Sequence, residues 1–130
     1  MRAQDEIKLV DAAVAVGVQK MMYVRDHRHV IVTVVGGGST DGTVKFAGSN
    51  QEAPPTVTSA QSDSNRYDFV QIKDLEDAST LDGDTGVAFT GSGGVRQFEV
   101  NTNGITWLIP RVTARSAGTI SVYGQPFSNE

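Results

Sequence analysis

Three groups of residues in this 130-residue chain have types and spacings that could do chemistry. His27 and His29 stand one residue apart, so on an extended strand both imidazoles would point to one side and could meet one metal ion. No acidic or cysteine ligand completes the set nearby, and the plainer reading is an exposed polar turn at a strand start. Asp74, Glu76, Asp77, Asp82 and Asp84 offer the oxygen ligands that calcium prefers. Their spacing is not that of an EF-hand loop, so they read as solvated loop carboxylates. Gly36-Gly37-Gly38-Ser39-Thr40 has the composition of a phosphate cradle, but no lysine follows it and no helix is expected behind it. It reads as a turn.

Nucleophilic catalysis finds no better footing. A serine needs a histidine base and an orienting acid. Ser39, Ser49, Ser62 and Ser64 all lie in loop-like stretches, and none sits in a nucleophile elbow. Carboxylate pairs for glycoside hydrolysis depend on separation in space, which spacing along the chain does not give. Trp107, the single tryptophan, falls on an Ile105-Trp107-Ile109 face and reads as core before it reads as a sugar platform. Arg96, Arg111 and Arg115 near the last strands read as partners in exposed or inter-subunit ion pairs. No catalytic residue, cofactor site or metal site is assigned, and the chain is expected not to be an enzyme.

The elements that position these residues are strands. Val and Thr are abundant, and there are 14 glycines, a balance that favours pleated segments and turns. There is no cysteine, which excludes disulfides, thiolate metal sites and thiol catalysis. The formal charge of −4 is wrong for a general nucleic-acid binder, whose footprint is a basic field. No stretch approaches the ~18 apolar residues of a membrane-spanning helix. The charged start MRAQDEIKLVD lacks the apolar region of a signal peptide. Neither nucleic acid nor membrane is expected as a partner.

Residues 1–12 read as an N-terminal arm and 13–130 as one domain. Val14, Val16 and Val18 alternate and suggest a strand. A helix over 5–16, capped by Asp5, is the rival reading, and Gly17 argues against it. Lys20–Arg25 reads as a strand. Val30–Val35 and Thr43–Ala47 read as a hairpin joined by the glycine-rich loop. Residues 48–65 form a long polar loop with Pro54-Pro55, and 74–86 a second one. Further strands are expected at Tyr67–Lys73, Val87–Thr90, Val95–Asn101, Ile105–Ala114 and Thr119–Gly124. Asn101-Thr-Asn-Gly104 and Arg115-Ser-Ala-Gly118 look like hairpin links, and Pro110 marks a bulge or an edge. Eight to nine short strands with turns between them predict an all-β, single-domain antiparallel β-sandwich, jelly-roll-like.

Within that frame, Gly42-Thr-Val-Lys-Phe-Ala-Gly-Ser49, Arg96-Gln-Phe-Glu-Val-Asn101, the Arg-Val-Thr-Ala run from Arg111 and the closing Gly118-Thr-Ile-Ser-Val122 carry a resemblance. Over about residues 28–124 the chain resembles small β-sandwich structural proteins of tailed bacteriophage virions. The resemblance implies a non-enzymatic virion protein, first of all a capsid decoration (cement) protein that stabilises the shell. Decoration proteins of this kind are often trimers. It therefore implies a homo-oligomer, with a trimer favoured, bound to the major capsid protein or another virion protein. A tail, neck or baseplate component is the alternative, as is a carbohydrate- or receptor-binding adhesin module using loops 48–65 and 74–86.

Overall fold

The computed structural model describes residues 2, 3 and 5–128. All regular structure among them is strand, so the all-β reading holds. The strands are β1 (Arg2–Ala3), β2 (Ile7–Ala13), β3 (Met22–Tyr23), β4 (His29–Ser49), β5 (Asp68–Phe69), β6 (Ile72–Asp74), β7 (Thr80–Leu81), β8 (Val87–Thr90), β9 (Gly94–Asn101) and β10 (Trp107–Ser128). Every pairing is antiparallel.

A ribbon of two long strands organises the fold. β4 has 21 residues and β10 has 22, and they pair from Trp107↔Ser49 to Phe127↔His29. The ribbon bends in its middle. Register shifts lie between Val112 and Thr119, opposite Gly37 to Val44. Gly38 and Gly118 take φ of +63° and +72° there, a region costly for any side chain. A Cβ on Gly118 would stand 2.5 Å from Thr40 Oγ1. The Thr40 side chain is fully buried, with Oγ1 in hydrogen-bonding reach of the Gly37 and Thr119 carbonyls.

The bend gives the ribbon two arms. In one, β9 joins β4 along His29–Gly36, β6 and β7 extend that side, and β2 joins β10. In the other, β8 and β5 join β4, and β3 joins β10. The arms face each other across one core. Val30, Val32, Val34, Phe98, Val100, Ile120 and Val122 from the first meet Val44, Phe46, Val87, Leu108 and Val112 from the second. Contacts across the gap are close: a Cβ on Gly124 would meet Met22 of β3 at 2.9 Å, and one on Gly36 would meet the Phe89 ring at the same distance. This is a sandwich-like arrangement within one continuous sheet. Even-numbered residues of β4 and β10 supply its interior because side chains alternate along a strand.

Several expectations are corrected. Gly36–Thr40 does not reverse the chain, and neither does Arg115–Gly118. The two glycine-bearing segments face each other in the ladder, so each is the bend of a continuous strand. Asn101–Gly104 turns, with Gly104 at φ +90°, but it links β9 to β10 across β4, which lies between them. Residues 7–13, placed mostly in an arm, form β2, with Leu9 and Val10 buried against β10. The alternating Val14 and Val16 are 60 % and 57 % exposed, outside any strand. Lys20–Arg25 keeps only Met22–Tyr23 as strand, and Tyr67–Lys73 splits into β5 and β6. Pro110 does hold an edge position. It shares parity with Val112, whose N–H leaves the β4 ladder for the Gly17 carbonyl at 2.9 Å.

Candidate functional site

The sequence-level candidates disperse. His29 opens β4 and stacks on Phe127 at 5.5 Å, whereas His27 lies in the preceding turn. Only one of the two imidazoles is on a strand, which removes the shared-face argument. His27 Nδ1 is buried without a hydrogen-bond partner. Three of the five loop carboxylates, those of Asp74, Asp77 and Asp82, are taken up by hydrogen bonds within or beside the loop. Asp74 accepts from Arg96 at 2.8 Å and from the Glu76 N–H at 2.9 Å. Asp77 accepts from the Ser79 N–H and hydroxyl, which hold its carboxyl below the usual range. Asp82 accepts from the Asp84 N–H. Among the described residues, no group of three or more His, Cys, Asp or Glu stands together.

The arginines also part. Arg96 pairs with Asp74 and lies over the Phe98 ring at 5.0 Å. Arg111 donates to the Val57 carbonyl at 3.2 Å. Arg115 clamps the Gly118 carbonyl with Nε and a terminal nitrogen, at 3.0 and 2.9 Å. Arg96 thus makes a partly exposed ion pair, as expected, while Arg111 and Arg115 hold backbone carbonyls of the same chain.

The long polar loop is tied down. Asn65 accepts from the Thr56 N–H at 2.7 Å and donates to the Thr56 and Ala60 carbonyls. The Tyr67 hydroxyl lies 2.8 Å from the Ser59 carbonyl and 3.1 Å from that of Val57. Val57 then packs on Ala47 and Ile109, with Val18, Tyr67, Phe69 and Trp107 around them. Trp107 therefore belongs to a small apolar cluster on the outer side of the ribbon, separate from the main core.

Three segments distant in sequence converge beside that cluster. Tyr23 and Arg25, Asn50 and Glu52, and Gly104, Ile105 and Thr106 line an open cleft of about 870 Å³. Backbone bonds fix its floor. Thr106 N–H donates to the Ser49 carbonyl at 2.9 Å, and Val24 N–H donates to the Thr106 carbonyl at 2.8 Å. Trp107 fixes two of its walls. Tyr23 packs on the indole at 5.3 Å, edge to face, and the indole N–H donates to the Glu52 carbonyl at 3.3 Å. The Tyr23 ring remains 47 % exposed. Among the described residues, the side chains of Arg25, Asn50 and Glu52 have no hydrogen-bond or ion-pair partner. Sequence reading missed this cleft, and the one signal for it was an aromatic pair, Tyr23 and Trp107, outside the main alternation.

No known protein family matches the sequence, and no curated protein matches it. The fold does have a solved counterpart. The chain is similar to the crystal structure of the SPBc2 prophage-derived protein YomS, with a TM-score of 0.70 and 13 % sequence identity. The similarity covers 97 % of this chain and 95 % of that one, so the two share a fold from end to end.

Proposed function

We propose that this chain is a non-enzymatic structural protein of a bacteriophage particle, first of all a capsid decoration protein that stabilises the shell by protein–protein contacts. The observation that carries the proposal is the fold shared over nearly the full length with a prophage-derived protein. Fold alone does not assign function, so the surface must supply the rest of the support. On one outer face of the sheet, Thr33 and Gln97 hydrogen-bond at 3.1 Å, with Gln97 exposed. At its rim Val95 is 65 % exposed and Leu75 48 %. Among the described residues β2 pairs only with β10, and its other edge offers backbone groups that can extend a sheet.

These features suit a module that adheres to other folded proteins. The proposed assembly is a homo-oligomer, with a trimer favoured, seated on a shell protein in the virion. Phage particles produced with and without the chain test this directly. The proposal expects the chain in purified particles and earlier release of packaged DNA on heating when it is missing. Particles of unchanged heat resistance, with the chain found only in the lysate supernatant, would refute it.

A further inference from the structure

We infer that the cleft between Tyr23, Glu52 and Thr106 is a saccharide-binding site, taking a short, uncharged chain of hexopyranoses. This goes beyond assembly into a particle, because it concerns a ligand that no packing contact requires. A sugar ring has two kinds of surface, and the cleft has a group for each. The C–H face of a pyranose is apolar and flat and is recognised by an exposed aromatic ring. Tyr23 presents such a ring, held edge-on by Trp107. The rim of a pyranose is a fan of vicinal hydroxyls, each both donor and acceptor. Planar side chains with paired donors or acceptors bridge two of them at once. Arg25, Asn50 and Glu52 are a guanidinium, an amide and a carboxylate, all uncommitted among the described residues and all on the wall of one cleft.

Other ligand classes fit less well. A phosphate would meet a single lining cation, Arg25, and one lining anion, Glu52. An apolar ligand would leave three strong polar groups without water or partner. One cation with one anion favours a neutral ligand. The cleft is open and, at about 870 Å³, lies in the range of small-molecule sites. That leaves room for more than one ring. The walls are preorganised as well. Thr106 is strung between Ser49 and Val24, and Glu52 is anchored through its carbonyl to Trp107. Binding then leaves the backbone as it is and orders only the Arg25, Asn50 and Glu52 side chains, which suits a strongly polar, heavily hydrated ligand held with modest affinity.

The test is a titration of the full chain, labelled for amide NMR, with three probes: the hexaoses of β1,4-glucose, α1,4-glucose and β1,4-N-acetylglucosamine. At least one is expected to shift the amides of Tyr23, Arg25, Asn50, Glu52, Gly104 and Thr106 as a connected group. Tyr23→Ala and Glu52→Ala are each expected to weaken that probe about tenfold or more. Glu52→Ala removes a carboxylate that makes no contact within the fold, so its effect is readable even where Tyr23→Ala disturbs packing on Trp107. Absence of shifts with all three probes at tens of millimolar would overturn the inference. So would shifts confined to another surface, or affinity unchanged in Glu52→Ala.

Discussion

The β4·β10 ribbon has two outer faces, and the molecule treats them in opposite ways. On the β5 side, Trp107, Ile109 and Ala47 make an apolar surface, and residues 50–67 fold over it as a second small core. On the β9 side, the outward positions pair Ile31 with Glu99, Thr33 with Gln97 and Val35 with Val95, a mixed polar and apolar surface that is half-buried to exposed. The same alternation produces both faces, since outward residues of one strand are simply its odd numbers. What differs is the chemistry placed at those positions. An apolar face draws a loop onto itself. A face where Thr33, Gln97 and Glu99 interrupt Ile31, Val35 and Val95 is left for water or for another molecule. The covered face is therefore expected to act in folding, and the bare one in association.

This contrast rests on the bend, so the largest effect is expected there. Gly118→Val places a side chain against Thr40 at positive φ and should cost about 3–5 kcal/mol in urea unfolding. Ile109→Ala, on the covered face, removes a fully buried side chain and should cost about 2–4 kcal/mol. Asn65→Ala should cost about 1–2 kcal/mol and raise hydrogen exchange across residues 56–67, with β9 amides unchanged. On the bare face, the pair Thr33→Ala and Gln97→Ala should stay within about 0.5 kcal/mol of the parent. A large loss there would erase the distinction between the faces. Smallest of all is the acid response of the 74–86 loop. Asp77 has its carboxyl lowered by Ser79, so its stabilising contribution is present above the usual carboxylate range and is lost as pH falls through the lowered folded value. Asp77→Asn should flatten that part of the acid unfolding curve.

Much of this was legible in the residues. The alternation of Val30, Val32 and Val34, of Phe98 and Val100, and of Ile120 and Val122 marks the inward faces correctly. The bend was not legible, because three glycines in a row carry the same local chemistry whether a chain reverses or kinks. What decides between them is the partner opposite, Thr119 against Gly37, some eighty positions away. Residues 7–13 were obscured by their charges, since Lys8 and Asp11 pair with each other on the surface while Leu9 and Val10 go inside. The order of loop 50–67 turns on one amide, Asn65, which composition presents as just another polar residue. The cleft joins segments near positions 23, 50 and 105, and no local pattern announces such a meeting.

The central proposal is that this chain is a component of a phage particle. Cryo-electron microscopy of purified particles tests it most directly. The account predicts density into which the bent ribbon fits, repeated in symmetric copies on the shell, with the β9-side face turned toward the neighbouring protein and loop 50–67 away from it. Particles without such density on shell or tail, from preparations in which the chain is abundantly made, would contradict it.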